Sequence, residues 1–370
     1  MPNSAISPGP VPRPGILDIA VYVGGEAKIA GVDRVIRLAS NEGALGPSPR
    51  AVAAYESLAA DLHRYPDGGS HALRMAIARH FGLEPENIVC GNGSDELIGN
   101  LVRAYVGPGD EVLYSEHGFM MYPIAAKSVG ATPVKAPERN LTTDVDALLA
   151  SISTRTRMVF LANPNNPTGT YLPAEEVARL HAGLPSDVLL VIDAAYAEYV
   201  NRNDYEPGIE LVRSHPNVVM TRTFSKIFAL GGMRVGWAYC PPAVADVMNR
   251  LRGPFNVNAA AQAAGVAALE DVGFTDRSRA HNDVWLPWTT KALEALGLTV
   301  TPSVGNFILV RFKDEPDRSA DAAWNHMQSR GILTRKMGGY GLPDCLRITI
   351  GTESEMRAVV AALAELLDRR

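Results

Sequence analysis

The chain has 370 residues, of which 46% are hydrophobic and 20% are charged. This composition supports a large hydrophobic core and excludes a disordered chain, a fibre and a small disulfide-bonded scaffold. The formal net charge is −5, so the overall charge does not attract nucleic acid or an anionic membrane surface. We therefore expect a soluble protein that acts on small molecules and binds neither nucleic acid nor membranes.

The start of the chain and its cysteines indicate a cytoplasmic location. Residues 1–15 are rich in proline and lack the basic start and apolar run of a signal peptide. Cys90, Cys240 and Cys345 are far apart and form no Cys-x-x-Cys pair, which argues against a disulfide framework or a cysteine zinc site. The eight histidines include no pair at helical metal-ligand spacing. We therefore assign no metal.

After a loose amino-terminal arm, short apolar segments alternate with helical stretches. We predict strands at 87–90, 111–115, 158–162, 188–192 and 217–221. Strands that alternate with helices favour a largely parallel α/β sheet, which places its ligands at the carboxyl ends of the strands.

The last third of the chain has a different pattern. Strands are predicted at 304–312 and 345–350, and they flank a helix near 320–330. The final helix begins with a capping box, Thr352-x-x-Glu355, before an apolar stripe. This pattern predicts a compact α+β domain. We divide the chain into an arm over 1–45 that joins the small domain, a large domain over 46–262 and a small domain over 263–370.

The segment 91–96 follows a predicted strand and opens a helix, as a dinucleotide-binding loop does. That motif needs a third small residue where Glu96 stands, so the match is partial. No Gly-x-x-x-x-Gly-Lys phosphate loop and no Gly-x-Ser-x-Gly nucleophile turn occurs. A nucleotide-binding or non-enzymatic α/β protein is a distant alternative.

Three segments that each follow a predicted strand carry the chemistry. They are 163–169, 193–196 and 223–234. Asp193 ends an apolar strand, where a carboxylate is costly unless it meets a cation or caps a helix. Lys226 lies among apolar residues, which favour the neutral, nucleophilic amine, although a lone lysine is commonly a solvated surface residue. Arg234 follows a glycine pair and suits a planar anion clamp.

Together these segments resemble the fold-type I pyridoxal-phosphate-dependent aminotransferases, and among them the histidinol-phosphate aminotransferases. The resemblance covers about residues 16–368. Its motifs are SNEGALGPSP (40–49), RYPDGG (64–69), NPNNPTG (163–169), DAAY (193–196), TFSKIFALGGMRVG (223–236) and RKMGGYGLPDCLRITIG (335–351). It implies an α/β fold of type I, in which a large domain with a mostly parallel sheet joins a smaller α+β domain. It also implies a homodimer.

The resemblance implies a catalytic role for three residues. Lys226 would bind pyridoxal 5'-phosphate covalently and then carry the proton that leaves the substrate Cα. Asp193 would pair with the pyridine nitrogen and keep it protonated. Tyr196 and Asn166 would hydrogen-bond the cofactor's 3-oxygen, and Phe119 would stack on the pyridine ring.

The cofactor phosphate is expected at the start of a helix. The residues that would form its binding site are Gly93, Ser94, Asp95, Thr223, Ser225 and Arg234. The Asp95 side chain is expected to cap the helix and not to contact the anion. Tyr65 would reach the phosphate of the partner subunit's cofactor, which makes the dimer part of the active site.

The resemblance also implies the substrate and its binding residues. Arg347 and Arg335 would bind anionic groups, and Tyr22 and Asn41 would complete the substrate site. The expected reaction transfers the amino group of L-histidinol phosphate to 2-oxoglutarate. Its products are imidazole acetol phosphate and glutamate.

Three departures from the family's usual pattern leave the substrate open. The usual Asn-Glu-Asn-Pro-Tyr-Gly segment is altered at 41–46, and the usual Pro-Thr-Tyr-Gly-Met-Tyr segment is altered at 117–122. Lys336 stands where the family often has proline and is expected to add a third cation near the substrate tail. The alternative is therefore an aminotransferase for phenylalanine or tyrosine, or a related decarboxylase of a phosphorylated amino acid.

Overall fold

The computed structural model of the chain describes residues 11–13, 15–21, 24–25, 28–29 and 35–368. The inner strands of its central sheet are buried along almost their whole length. Two clusters of buried apolar side chains pack on the sheet. A parallel sheet needs such cover on both faces, which explains the nearly continuous apolar runs in the sequence.

The strands and helices follow one another along the described chain. The strands are β1 (Ile36–Arg37), β2 (Ile88–Gly91), β3 (Glu111–Ser115), β4 (Thr132–Ala136), β5 (Glu138–Arg139), β6 (Thr142–Thr143), β7 (Thr156–Ala162), β8 (Leu189–Asp193), β9 (Val218–Thr223), β10 (Gly236–Tyr239), β11 (Thr299–Thr301), β12 (Phe307–Arg311), β13 (Ile332–Leu333), β14 (Arg335–Met337) and β15 (Leu342–Thr349). The helices are α1 (Pro49–Glu56), α2 (His71–Phe81), α3 (Ser94–Tyr105), α4 (Met121–Ser128), α5 (Val145–Ala150), α6 (Ala174–Ala182), α7 (Ile209–Ser214), α8 (Pro242–Leu251), α9 (Ala259–Glu270), α10 (Val272–Ala295), α11 (Ala320–Ser329) and α12 (Glu353–Leu367).

The central sheet has the strand order β2-β10-β9-β8-β7-β3-β4. Neighbours from β9 to β4 pair in parallel, whereas β10 is antiparallel to both β2 and β9. The predicted parallel α/β sheet is confirmed, and its five predicted strands correspond to β2, β3, β7, β8 and β9. No sequence pattern predicted β4 or β10.

A second sheet of four antiparallel strands has the order β11-β12-β15-β14. Its apolar core includes side chains from α11 and α12, and the predicted capping box begins α12 at Thr352. The expected α+β pattern of the last third is therefore present. The beginning of the chain also reaches this region, because β1 pairs in parallel with β13.

The proposed domain division remains a prediction. Position 262 lies within α9, which continues to Glu270 and packs against α1 and α2. Leu38, close to the proposed end of the arm at 45, belongs to the same apolar core as α12. Among the described residues, no helix is long and apolar enough to cross a membrane.

Candidate active site

A cavity of about 380 Å³ opens at the carboxyl ends of β7, β8 and β9. Predicted site residues that line it are Asn41, Ser94, Asp95, Phe119, Asn166, Asp193, Tyr196, Thr223, Ser225, Lys226, Arg234, Arg335 and Arg347. The fold therefore brings residues from distant parts of the chain to one place. Tyr22 lies outside the described residues.

One end of the cavity is built to hold an anion. Gly93 precedes α3 with a φ of 83°, and a Cβ there would lie 2.4 Å from Nη2 of Arg234. The guanidinium therefore packs directly against the backbone at the start of α3. Free N–H groups at a helix start and an adjacent arginine together favour an anionic group such as phosphate.

The Asp95 side chain does not cap α3, so that expectation is wrong. Its Oδ2 accepts a hydrogen bond from Nη2 of Arg234 at 3.2 Å. The carboxylate instead pairs with the arginine on one side of the anion-binding end. Glu96 bonds the backbone N–H of Asn92 at this helix start.

Asp193 ends β8 and is buried, with 5% of its surface exposed. Its carboxylate accepts hydrogen bonds from the hydroxyls of Tyr122 at 2.8 Å and Thr221 at 3.2 Å. Burial is the main reason that the pKa of Asp193 is raised to about 6. Both donors are neutral, so a nearby cation would stabilise this carboxylate further.

Tyr122 belongs to the site although no sequence pattern predicted a role for it. Its ring stacks on that of Phe160 with centroids 4.3 Å apart, which aims the hydroxyl at Asp193. Burial raises the pKa of the Tyr122 phenol well above its usual value, and the neighbouring carboxylate adds to the shift. The phenol therefore remains a proton donor to Asp193 over the whole physiological range.

Lys226 lies in the loop after β9, between the buried side chains of Phe224 and Ile227. Its Nζ donates a hydrogen bond to the carbonyl oxygen of Ser40 at 3.1 Å and lies 5.6 Å from the ring centroid of Tyr196. The amine thus lies between Ser40, which follows β1, and the turn after β8. This position places a nucleophile beside the buried acid.

Asn41 holds the hydroxyl of Tyr196. Its Nδ2 donates to the Tyr196 oxygen at 2.8 Å, and its backbone N–H donates to Oγ1 of Thr349 at 2.9 Å. Asn41 is buried and has a left-handed φ of 56°. Asparagine tolerates this conformation better than most residues. Asn41 lines the predicted substrate site, and it also orients Tyr196.

Two arginines from the small sheet also line the cavity. Arg335 on β14 and Arg347 on β15 are paired neighbours in the small sheet. Nη2 of Arg347 donates to the carbonyl of Ala39 at 2.8 Å, and Nη1 donates to Oδ1 of Asn166. The phenol of Tyr340 also lines the cavity. A second anion can therefore bind beside these arginines.

Lys336 does not join these arginines, so the expected third cation near the substrate tail is wrong. Its Nζ lies 2.6 Å from Oδ1 of Asp321 and 4.4 Å from the ring centroid of Trp324. Successive side chains of a strand point to opposite faces. Because Arg335 faces the cavity, Lys336 faces α11.

Tyr65 lies outside the cavity, with 83% of its surface exposed. Its ring stacks on that of Phe255 with centroids 4.7 Å apart. Leu62 and Leu251 are also exposed in this part of the chain. Within a single chain, Tyr65 therefore has no place in the site, which is compatible with its predicted action on a partner subunit.

Residues 33–363 match the family described as aminotransferase class I and II. The chain belongs to this family. A histidinol-phosphate aminotransferase of Paramagnetospirillum magneticum is 63% identical over 97% of this chain and 99% of the relative. One from Rhodospirillum centenum is 65% identical with the same coverage. This aminotransferase also resembles the crystal structure of histidinol-phosphate aminotransferase from Sinorhizobium meliloti in complex with pyridoxal 5'-phosphate. That likeness has a TM-score of 0.87 and 33% identity, and covers 96% of both chains.

The match confirms the predicted family and its α/β fold. Distant alternatives drawn from the sequence, a nucleotide-binding or non-enzymatic α/β protein, are thereby set aside. Among the described residues, no group of three or more histidine, cysteine or acidic side chains is arranged to hold a metal ion.

Proposed function

We propose that this aminotransferase uses pyridoxal 5'-phosphate to transfer the amino group of L-histidinol phosphate to 2-oxoglutarate. The products are imidazole acetol phosphate and glutamate. The observation that carries the proposal is a single cavity lined by two anion-binding regions, the start of α3 with Arg234 and the pair Arg335 and Arg347, together with Lys226 and Asp193. The names of the relatives, which are similar over nearly the whole chain, support the same reaction.

The cavity fits the proposed cofactor. The start of α3 together with Arg234 suits a phosphate group. Asp193 is a buried carboxylate whose hydrogen-bond donors are neutral hydroxyls, and a protonated pyridine nitrogen would supply the missing positive charge. When bound, pyridoxal phosphate withdraws electrons from the donor's Cα and carries the amino group between the two half-reactions.

The chain's own residues would then perform distinct tasks. The Nζ of Lys226 holds the cofactor and moves the proton that leaves the donor's Cα. Tyr196, oriented by Asn41, and Asn166 provide hydrogen bonds at the cofactor's 3-oxygen. Phe119, which lines the cavity, provides the stacking surface.

The paired arginines favour histidinol phosphate over phenylalanine or tyrosine as the donor. A phosphate tail and the second carboxylate of 2-oxoglutarate are both anions, and Arg335 and Arg347 can bind either one. Histidinol phosphate carries a phosphate dianion where phenylalanine and tyrosine carry a single α-carboxylate, and two arginines match the dianion better. We therefore place the phosphate tail of the donor at these arginines.

A half-reaction screen tests the substrate. The protein is loaded with pyridoxal phosphate and mixed with histidinol phosphate, histidinol, phenylalanine or tyrosine while the cofactor absorbance is followed. We expect histidinol phosphate to react with the highest kcat/KM. A higher kcat/KM for phenylalanine or tyrosine would overturn the substrate assignment and leave the cofactor assignment intact.

Two neighbouring substitutions sharpen this test. Arg335→Gln should lower kcat/KM for histidinol phosphate by at least about tenfold, because it removes a charge-assisted contact. Lys336→Gln is the matched control, since Lys336 faces α11 on the same strand. Equal losses in the two variants would contradict the proposed position of the phosphate tail.

We also propose that the enzyme is a homodimer in which Tyr65 acts on the partner's site. An exposed aromatic pair formed by Tyr65 and Phe255 is typical of a surface that another chain covers. The cytoplasmic location and the absence of a nucleic-acid partner remain predictions from composition.

Subunit complementation tests the role of Tyr65. Tyr65→Phe and Lys226→Ala chains are refolded together. If Tyr65 acts across the interface, a mixed dimer has one site with both defects and one intact site, so activity rises well above that of either parent. Activity that only averages the two parents would place Tyr65 in its own subunit's site. A fully active Tyr65→Phe protein would show that the phenol has no important role.

A further inference from the structure

A buried ion pair lies behind the active site, on the face of the central sheet away from Asp193. Nη1 of Arg222 and Oε1 of Glu198 are 3.3 Å apart, and only 6% and 7% of the two side chains are exposed. Arg222 lies on β9 between Thr221, which bonds Asp193, and Thr223, which lines the cavity. Because side chains alternate along a strand, Arg222 points to the opposite face.

Two aromatic rings lie beside the guanidinium. The Cζ of Arg222 lies 4.6 Å from the ring centroid of Phe81 and 5.7 Å from that of Trp237. Both rings belong to the apolar cluster on this face or pack against it. A planar guanidinium stacks well on aromatic rings, so the direction in which Arg222 points is fixed.

The ion pair joins two segments that each carry an active-site residue. Glu198 lies in a 3₁₀ turn, Ala197–Tyr199, that directly follows Tyr196. Arg222 lies four residues before Lys226 on the strand that leads into the lysine loop. Nε of Arg279 on α10 also donates to the carbonyl of Glu198 at 2.7 Å. Glu198 therefore holds this turn in two ways. Its backbone carbonyl accepts a hydrogen bond from Arg279, and its side chain pairs with Arg222.

Stability alone does not explain this arrangement. Burial raises the pKa of Glu198, and the charge of Arg222 opposes that shift. The attraction within a buried ion pair is largely offset by the desolvation of the two charges, so apolar residues of similar size commonly serve stability as well. Nη1 of Arg222 and Oε1 of Glu198 are buried and form no hydrogen bond with each other or with other groups. The attraction between their charges nevertheless links the two segments.

We propose that Arg222 and Glu198 are positioning residues that set the Tyr196 hydroxyl relative to the Lys226 amine. Neither side chain lines the cavity, so both act through the segments that they join. This inference rests on the proposed function, since it concerns how Tyr196 and Lys226 work on the cofactor. A shift of about 1 Å in such a site can lower turnover by a large factor.

The test compares two ion pairs on the same sheet. The variant Glu198→Gln/Arg222→Met removes both charges together, so neither is left buried alone. The control variant Glu111→Gln/Arg155→Met removes an ion pair at the amino-terminal edge of the sheet, where Glu111 is buried on β3. Both proteins are loaded with pyridoxal phosphate, and the pH midpoint of the cofactor absorbance is measured.

We expect the Glu198/Arg222 variant to shift this midpoint by at least about half a pH unit and to lower kcat about tenfold, with a smaller change in KM. The control variant should have the wild-type midpoint and the wild-type kcat. A Glu198/Arg222 variant with the wild-type midpoint and kcat would overturn the proposal. If that variant does not fold, Arg222→Lys keeps the charge but loses the planar fork. An unchanged midpoint in Arg222→Lys would then overturn the proposal.

Hydrogen exchange in the protein without cofactor separates this proposal from the proposed function. Exchange should become faster in residues 194–200 and 223–230 of the Glu198/Arg222 variant and stay unchanged there in the control. Unchanged exchange in both segments would overturn the positioning role. A wild-type protein that forms no cofactor absorbance band would instead contradict the proposed function, and the exchange result would still decide whether the ion pair links the two segments.

Discussion

Two buried carboxylates on the central sheet have opposite environments, although each is only 5% exposed. Glu111 begins β3, where hydrogen bonds from Ser153 and then Arg155 lower its pKa. Asp193 ends β8, and burial raises its pKa to about 6. The amino-terminal edge of the sheet thus satisfies its acid within the chain. At the carboxyl-terminal edge, the hydrogen bonds to Asp193 do not offset the cost of burying its charge, so the site suits a cationic ligand.

The two shifts have opposite consequences for stability. A carboxylate with a lowered folded pKa stabilises the fold above its unfolded pKa, and this contribution is lost as the pH falls through the folded pKa. Glu111 belongs to this class. Asp193 has a raised folded pKa. In the protein without cofactor, its ionised carboxylate therefore lowers the free energy of unfolding by about 3 kcal/mol at neutral pH. That cost disappears as the pH falls from about 6 to below 4.

Of the substitutions at the carboxyl-terminal edge, Lys226→Ala should lower activity the most. Transamination should fall by more than about 10⁴-fold, because the variant loses both the nucleophile and the proton carrier. Steady-state assays with histidinol phosphate measure the loss. Borohydride reduction of the wild type, followed by peptide mapping, should label Lys226. A label on another lysine would show that the assignment is wrong.

Asp193→Asn should separate activity from stability at the same residue. We expect kcat to fall roughly 10²- to 10³-fold with a smaller change in KM, because the group that keeps the pyridine nitrogen protonated is lost. Without cofactor, the free energy of unfolding of the variant should exceed that of the wild type by up to about 3 kcal/mol at pH 7.5 and by almost nothing at pH 4. Urea unfolding at the two pH values measures the gain. A loss of stability at pH 7.5 would break the contrast with Glu111.

Glu111→Gln, at the amino-terminal edge of the sheet, should lower stability and leave activity unchanged, the reverse of Asp193→Asn. The free energy of unfolding should fall by about 2 kcal/mol at pH 7.5, because hydrogen bonds to a charged group are lost. The difference should shrink as the pH falls below the unfolded pKa and through the lowered folded pKa of Glu111, because the wild-type carboxylate then takes up a proton. The kcat should stay at the wild-type value, and a large loss of activity would contradict the purely structural role of this edge.

Among the substitutions that lower activity, Tyr122→Phe should have the smallest effect. The lost hydrogen bond lowers the pKa of Asp193 in the wild type, so the variant should hold its carboxylate less firmly ionised. We expect about a tenfold fall in kcat and a fall of activity at a higher pH on the acidic side of the pH profile. Thr221→Val serves as a comparison, since Thr221 bonds the other oxygen of Asp193 at a longer distance.

The sequence predicted the residues that follow the parallel strands, because strand ends meet at one edge of the sheet. It did not predict Tyr122, whose role depends on stacking against the distant Phe160. The bond from Asn41 to Thr349 likewise joins residues that are 308 positions apart. No local pattern reports such contacts. The error at Lys336 was avoidable, since strand alternation places it opposite Arg335.

The segment 38–42 near the beginning of the chain depends on strands near its end. The carbonyl of Leu38 accepts from the N–H of Thr349, the carbonyl of Ala39 accepts from Arg347, and the carbonyl of Asn41 accepts from Asn306. During synthesis, residue 41 leaves the ribosome long before residue 349 has been added. The nascent chain can form much of its central sheet first, but it holds no complete catalytic cavity until translation is almost finished. We therefore expect chains that end before these strands to be inactive, because they lack the residues that hold the segment 38–42.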